Sequence, residues 1–411
     1  KMRDQESKRD CRVCRNPTRE IVDLGISPPA NNFINKIGES ATSFPLVVDL
    51  CDTCKNIQLR DCLDEKFLYS HYTYLTPNID TLTNHYEKII SYLQSESYIS
   101  NKSSCLEIGS NNGLFLKHLS PKVGNVLGVD PAKNIAKIAN DSGIETIPSF
   151  FDQITVENIM KDRGSMDLVV ARHMLAHNAN PSNILLNIKE VLDSTGILII
   201  ENAYAIPTFL KGEFDQIYHE HMFYYTVRSI SYLLDSLGFD LIDLFETGIH
   251  GGSLVFIASY KGVRQIQKEV DSYLSVEDGL FSEDKVFKLF SDKISSIKVK
   301  VLSELEEDFV NGRTVGAYGA TAKAFTMFSF LELNNSEIRY CIDTSPTKIG
   351  KFFPKFNIKV VSEDHFKAEP VDTLLVTAWN YKDHIKAKSE SLFSSGTKLI
   401  FPLPEFETFI V

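Results

Sequence analysis

Two glycine turns, each closing an apolar run and opening a helix-like one, constrain this chain more than any other feature. They are Leu106-Glu107-Ile108-Gly109-Ser110-Asn111-Asn112-Gly113 and Val315-Gly316-Ala317-Tyr318-Gly319-Ala320. A strand that stops at glycine lets the next helix begin close to a ligand, with backbone N–H groups and a positive dipole end turned toward it. Two such turns predict two α/β units, each with a nucleotide-like ligand. Around the first, apolar runs at Ser104–Ile108, Asn125–Val129, Met166–Ala171 and Gly196–Glu201 alternate with helical stretches such as Asn183–Leu192. A helix near Ser229–Leu237 and two strands, Asp240–Phe245 and Ser253–Ser259, follow. The alternation predicts a mostly parallel sheet covered on both faces, and the two closely spaced final strands predict an antiparallel edge.

Residues 262 to about 310 have apolar positions three and four apart, the helical period. The run Glu304-Leu305-Glu306-Glu307-Asp308 within them reads as a solvated face. Strand–turn–helix alternation resumes at Arg313, with strands expected at Ile338–Ile342, Thr373–Thr377 and Lys398–Phe401. The expected division is a small N-terminal domain over residues 1–75, a first doubly wound domain over 76–261, and a helical linker with a second, smaller doubly wound domain over 262–411. A net charge of −11 over 411 residues argues against nucleic acid as a partner, because neutralising phosphates needs a basic face. No apolar run approaches the roughly 18 residues of a membrane span, so no membrane is expected and the expected location is cytoplasmic.

Four of the seven cysteines form two Cys-x-x-Cys pairs, Cys11/Cys14 and Cys51/Cys54, with 36 residues between the pairs. Each pair suits a tight knuckle, and four thiolates can surround one zinc ion tetrahedrally with no open position, so a structural role is expected. Cys62, Cys105 and Cys341 read as ordinary buried thiols.

The first turn has the spacing Glu107-x-Gly109-x-x-x-Gly113, which lacks the full pyrophosphate fingerprint of a dinucleotide site. Asp130 ends the next strand, where an acid can accept both ribose hydroxyls of an adenosine. S-adenosylmethionine therefore suits the turn better than NAD. The second turn continues Thr321-Ala322-Lys323, so backbone donors, a hydroxyl and a lysine meet where a helix begins, a combination suited to a diphosphate.

The chain resembles sugar C-methyltransferases that act on nucleotide-linked 4-keto-deoxysugars, the C-3′-methyltransferases of antibiotic sugar pathways. Nearly the whole chain takes part. The resemblance is carried by the two cysteine pairs, Tyr72-Thr73-Tyr74, Leu106–Gly113, Gly128-Val129-Asp130-Pro131 and Leu175-Ala176-His177. It continues through Tyr218-His219-Glu220-His221, His250-Gly251-Gly252-Ser253, Tyr318-Gly319-Ala320 and Ala378-Trp379-Asn380. Departures are Gly109-Ser110-Asn111-Asn112-Gly113 for the usual Ala-Ser-Asn-Asp-Gly, Arg172-His173-Met174 for an Asn-Asn-Val-like stretch, and Val255 for a common arginine.

The resemblance implies a class I methyltransferase (Rossmann-like) sheet with an N-terminal zinc-binding domain and a second doubly wound α/β domain at the C-terminus. It implies an S-adenosylmethionine site at Glu107, Gly109, Ser110, Asn111, Asn112, Gly113, Asp130, Pro131 and Phe151. It further implies a nucleotide-sugar grip from His250, Gly251, Tyr318, Ala320, Lys323, Trp379 and Asn380, with dTDP favoured over GDP or CDP. A sugar C–H carbon cannot attack a sulfonium methyl group unless a neighbouring ketone allows an enolate to form. Such chemistry needs a base beside the carbon and donors at the oxygen. The resemblance casts His221 as base, Glu220 as its tuner and Tyr218 as donor to the keto or enolate oxygen, with Tyr72 and His177 in support. In an extended segment His219 and His221 share a face; a tight turn instead converges three of the four residues. Methylation at oxygen or nitrogen, which needs no ketone, is the alternative enzyme reading. A zinc-stabilised sensor of a nucleotide metabolite, which needs no base, is the alternative outside catalysis.

Overall fold

The computed structural model describes residues 9–64, 76–248 and 252–411, and they form three sheets. The first is antiparallel, in the order β1 (Thr18–Ser27), β2 (Phe44–Cys51), β3 (Ile57–Leu59) and β9 (Phe223–Tyr224). Its last strand comes from far along the chain, with Ile57 opposite Tyr224 and Gln58 opposite Phe223. The candidate string at 218–221 is thus followed at once by a strand of the cysteine-bearing sheet.

The second sheet contains β4 (Ser104–Ile108), β5 (Asn125–Val129), β6 (Thr146–Ile147), β7 (Met166–Arg172), β8 (Leu192–Ala203), β10 (Phe239–Thr247) and β11 (Ser253–Tyr260). Its order is β10-β11-β8-β7-β4-β5-β6, parallel from β8 to β6 and antiparallel where β11 inserts between β8 and β10. This is the expected class I methyltransferase sheet with its antiparallel edge. Helices α1 (Asp80–Ser95), α2 (Leu114–Leu119), α3 (Lys133–Asp141), α4 (Gln153–Arg163), α5 (Pro181–Val191), α6 (Ala205–Lys211) and α7 (Val227–Ser236) accompany it. The strand order reverses between β4 and β7, which opens a crevice at their carboxyl ends.

Helices α8 (Lys268–Phe281) and α9 (Lys285–Val310) lead to the third sheet. It contains β12 (Val315–Tyr318), β13 (Cys341–Ile342), β14 (Val360–Val361), β15 (Thr373–Val376), β16 (Lys398–Phe401) and β17 (Glu407–Ile410), in the order β14-β13-β12-β15-β16-β17. Only β17 is antiparallel, and α10 (Ala322–Leu331), α11 (Glu363–Ala368) and α12 (Lys382–Leu392) complete the unit. A second crevice opens between β12 and β15 by the same reversal.

Local chemistry sets several boundaries that hydrophobic periodicity misses. Helix α5 begins at Pro181, two residues before the expected Asn183, because Asn180 caps it with a side-chain oxygen and proline suits the first helical position. Helix α7 starts at Val227, where Thr226 and Ser229 bond to each other's backbone N–H at 3.1 and 2.9 Å. The expected solvated face at Glu304–Asp308 is only partly so. Leu305 and Asp308 are buried, and Asp308 accepts from Thr373 Oγ1 at 2.8 Å and pairs with Lys398 at 2.8 Å, fastening α9 to the third sheet. Of the three remaining cysteines, Cys105 and Cys341 are buried as expected, while Cys62 is half-buried.

The Pro-rich loop after β1 ties the first sheet to the third. Phe33 packs edge-on against Phe325 and Phe353 with ring centroids 5.2 and 5.0 Å apart, and Ile34 exchanges backbone hydrogen bonds with Phe352. Ser329 Oγ of α10 donates to the Ile26 carbonyl at 2.8 Å. Among the described residues no helix is long and apolar enough to cross a membrane.

At the second glycine turn, Gly319 has φ of +106°, and a Cβ there would lie 2.6 Å from Ala378 Cβ and 2.9 Å from its nitrogen. Strain and overlap act together, so Gly319→Ala is expected to lower stability by about 1–3 kcal/mol in chemical denaturation. An unchanged midpoint would contradict this account of the turn.

Candidate active site and metal centre

The four cysteines Cys11, Cys14, Cys51 and Cys54 converge, their sulfur atoms all lying within 4.8 Å of one another. Cys11 and Cys54 are 3.5 Å apart, and Cys14 and Cys51 are 3.4 Å apart. A tetrahedral zinc–thiolate set with bonds of about 2.3 Å needs sulfurs about 3.8 Å apart, so the sites match. The two knuckles are built alike. Arg15 and Lys55, each just past a pair, have left-handed φ of 64° and 57° and donate N–H to the Cys11 and Cys51 carbonyls at 2.9 Å. Side-chain amides of Asn16 and Asn56 donate to Cys14 and Cys11 sulfur at 3.3 and 3.5 Å, as thiolates require. The set has no open position and serves as a structural zinc site.

At the first crevice, Gly109 and Gly113 have φ of +68° and +75°, and Asn111 joins them at +51°. Asp130 accepts from the Asn111 and Ala132 backbone N–H groups at 2.9 Å each, so the acid and the turn are locked to one another. Buried Glu107 Oε2, Ser110 Oγ and Asn112 Oδ1 have no hydrogen-bond partner among the described residues. Such orphaned polar atoms around one turn fit a polar ligand such as S-adenosylmethionine. Pro131 is exposed at the rim, whereas Phe151 is buried and its carbonyl accepts from the Asn187 amide of α5.

Beneath this turn lies a charge network that the sequence reading did not single out. Arg172, at the end of β7, contacts Glu107 of β4 at 3.2 Å and Glu201 of β8 at 2.9 Å. Its guanidinium lies 4.5 Å from the Tyr86 ring centroid and 4.6 Å from that of Phe115. His85 Nε2 reaches Glu201 at 2.7 Å and His173 Nε2 reaches it at 3.5 Å. The two carboxylates respond oppositely. Burial, only partly offset by Arg172, pushes Glu107 up to about 8. Glu201 is also desolvated, but its histidine and arginine partners hold it well below the usual carboxylate range.

The loop after β7 joins this crevice to the histidine string. Met174 lies beside Gly109, within 3.4 Å of where a Cβ would stand, and Met222 N donates to the Ala176 carbonyl at 2.9 Å. His221 N donates to the Tyr218 carbonyl at 2.9 Å, so 218–221 is a tight turn rather than an extended segment. The rings of Tyr218 and His221 lie 4.0 Å apart, tilted by 35°, and the His177 ring meets His221 edge-on at 5.2 Å. His221 Nδ1 lies 2.8 Å from the Gln216 carbonyl oxygen, which can only accept. Nδ1 therefore carries the proton, and Nε2 is the basic nitrogen. His219 turns the other way, buried with Nε2 3.2 Å from the Pro45 carbonyl of the zinc lobe, so the two histidines do not point together.

Burial pushes Glu220 up to about 7, against a hydrogen bond from the Asn31 side chain that lowers it. Burial and the nearby His173 hold His177 down to about 4, so it is neutral at neutral pH. Tyr72, His250 and Gly251 lie outside the described residues.

At the second crevice two of the turn's backbone donors are engaged within the protein. Gly319 N donates to the Ile342 carbonyl and Ala320 N to Asp343 Oδ2, both at 2.8 Å. Tyr318 is turned aside, its hydroxyl donating to Glu363 at 3.1 Å. Lys323 Nζ lies 4.4 Å above the Trp379 ring, whose Nε1–H donates to Asp215 at 2.5 Å, and Asn380 is exposed. Asp343 went unnoticed in the sequence. It follows β13 as Asp130 follows β5, and it accepts Ser345 N at 2.8 Å as Asp130 accepts Ala132 N. The pairing of Ile342-Asp343 with Val129-Asp130 was the available signal.

Three family profiles match consecutive parts of the chain. "Putative zinc binding domain" matches residues 11–69, "Methyltransferase domain" 82–244, and "C-methyltransferase C-terminal domain" 248–404. C-methyltransferase NovU of Streptomyces niveus is 29% identical over 401 residues, covering 96% of both chains. The chain is an S-adenosylmethionine-dependent C-methyltransferase. Solved structures similar in part include magnesium protoporphyrin IX methyltransferase (ChlM) from Synechocystis PCC 6803 with bound SAM, at 14% identity and TM-score 0.37, over 49% of this chain and 99% of that one. Another is N-methyltransferase NodS from Bradyrhizobium japonicum WM9, at 14% identity and TM-score 0.35, over 44% of this chain and 98% of that one.

In this methyltransferase the zinc site and the carboxyl of Glu220 generate two expectations. Cys51→Ser is expected to lower the zinc content below one per chain and to melt the N-terminal lobe first, read by metal analysis and hydrogen exchange over 9–64. Full zinc retention with unchanged protection would contradict the tetrahedral assignment. Glu220 binds its proton more tightly folded, at about 7, than at its ordinary 4.5. Its contribution to stability is present below 4.5 and is lost as pH rises through 7. Relative to Glu220→Gln, the wild type should lose up to about 3 kcal/mol between pH 4.5 and 8 in denaturant titrations. Parallel pH curves would contradict the burial argument.

Proposed function

We propose that this enzyme methylates C-3 of a nucleoside-diphosphate-linked 4-keto-deoxyhexose, with His221 removing the C-3 proton. The carrying observation is the His221 imidazole: its Nδ1–H is directed at the Gln216 carbonyl at 2.8 Å, and its ring contacts the tilted ring of Tyr218 and the edge-on ring of His177. A base so fixed has Nε2 as its proton-accepting nitrogen. Tyr218, whose ring adjoins the imidazole at 4.0 Å, supplies a hydroxyl for the oxygen that gains charge as the proton leaves. Neutral His177 adds no positive charge beside the base, and Glu220, bonded by Asn31, keeps the turn in place.

The cofactor, held by Glu107, the 109–113 turn, Asp130, Pro131 and Phe151, supplies an electrophilic methyl group when bound. The orphaned oxygens of that turn support this placement. The residues linking the two crevices support a shared reaction space, since Met174 adjoins Gly109 while His177 adjoins His221. Lys323 and Trp379 take the nucleotide, with Tyr318, Ala320 and Asn380 shaping the crevice and His250 and Gly251 contributing from outside the described residues. The three-part division at about residues 75 and 261 and a cytoplasmic location belong to the same reading.

The test incubates the enzyme and S-adenosylmethionine with dTDP-, GDP- and CDP-linked 4-keto-deoxyhexoses and looks for a mass gain of one methyl group. In parallel, deuterium exchange from solvent at C-3 is followed without cofactor. His221→Asn is expected to reduce exchange and turnover by about 10²–10⁴-fold while leaving cofactor binding intact. Wild-type exchange in that variant would remove His221 from the base role.

A further inference from the structure

We infer that the C-terminal unit orients the His221 imidazole through the three-residue segment Asp215-Gln216-Ile217, with Thr326 and Trp379 as positioning residues. The inference rests on the reading of His221 as the base. Asp215 Oδ2 accepts the Trp379 indole N–H at 2.5 Å, and the Ile217 carbonyl accepts the Thr326 hydroxyl at 2.6 Å. The residue between them, Gln216, offers the carbonyl that receives His221 Nδ1–H at 2.8 Å. Both outer anchors come from the third sheet's unit, 164 and 109 positions away in the chain, while the base belongs to the 218–221 turn.

Asp215, Ile217 and Thr326 are fully buried, so water cannot substitute for a lost anchor. Consecutive Cα atoms are only about 3.8 Å apart, and slack at either neighbour passes directly to the Gln216 carbonyl. A threonine hydroxyl inside a helix ordinarily bonds to its own helix one turn back. Thr326, on α10, reaches out to Ile217 instead.

The same indole has a second role that makes the arrangement responsive. Lys323 Nζ lies over the face of Trp379 at 4.4 Å, while the ring's N–H edge holds Asp215. A nucleotide that engages Lys323 or the indole face therefore acts on the group that anchors the segment behind the base. Occupancy of the second crevice and the aim of the imidazole are coupled, so binding of the remote nucleotide is expressed in kcat and not only in KM.

Thr326→Val removes the hydroxyl at nearly constant volume, and Thr326→Ser restores it. The expected result for Thr326→Val is a kcat lower by roughly tenfold, with KM for the nucleotide sugar within about twofold of wild type. A shifted acid limb of the kcat–pH profile should accompany it, and Thr326→Ser should recover both. If Thr326→Val does not fold, Trp379→Phe, which keeps a ring beneath Lys323 and loses the N–H, carries the same expectation for kcat and the pH profile. Wild-type kcat and pH profile in the folded variant, with His221→Asn inactive, would overturn this inference and leave the base reading standing. Full turnover by His221→Asn would overturn both.

Discussion

A single guanidinium between two buried carboxylates holds the open end of the methyltransferase sheet. Arg172 bridges Glu107 and Glu201 at the carboxyl ends of three adjacent parallel strands, and two aromatic rings enclose it. Without it, two acids would face each other in a medium that cannot solvate them, and removing one partner of such a set typically costs 3–5 kcal/mol. Lysine would not replace it, since only the planar fork reaches both acids while stacking on rings. The network also fixes where the next loop starts: His173 N donates to the Glu201 carbonyl at 2.7 Å, and His173 takes the left-handed φ of 50°. From there Met174 lies beside the glycine turn and His177 meets His221 edge-on, so one ionic arrangement sets the start of the loop that joins the two.

The 218–221 turn lies at the seam of all three sheets. Its continuation, β9, pairs with β3 of the zinc lobe, its Glu220 receives Asn31 from the loop after β1, and the segment before it is bonded by Thr326 and Trp379. Through this pairing the zinc lobe supplies the sheet edge on which the turn is mounted. A turn shared in this way is held by rigid elements instead of by its own loop, as the proposed proton transfer requires.

Much of the architecture was legible because period and punctuation agreed. The strands at Ser104–Ile108 and Asn125–Val129 match as read, and the paired final strands proved to be the antiparallel edge. The two Cys-x-x-Cys knuckles announced a tetrahedral site because only a few short turns present two sulfurs together. Less legible were features decided by tertiary partners. Asp308 sits in a run of acids that looks solvated, yet Lys398 and Thr373 draw it inward. His219 resembles a partner for His221 in sequence, but the turn at Tyr218 sends it to Pro45. Arg172 looked like a departure from a family pattern, and its role appears only when Glu107 and Glu201 are seen on either side. Asp343 follows a strand expected at Ile338–Ile342 and formed only over Cys341–Ile342, and its role shows only once its carboxylate is seen bonded to Ala320 N of the second glycine turn.

The central claim is that the basic nitrogen of His221 faces a carbon placed between the two crevices. A crystal structure with S-adenosylhomocysteine and a nucleotide-linked 4-keto sugar bound together tests it most directly. The account predicts His221 Nε2 within about 3–3.5 Å of the sugar carbon or its proton, Tyr218 at the keto oxygen, and the diphosphate near Lys323. An imidazole remote from both ligands, with another group beside the reacting carbon, would contradict it.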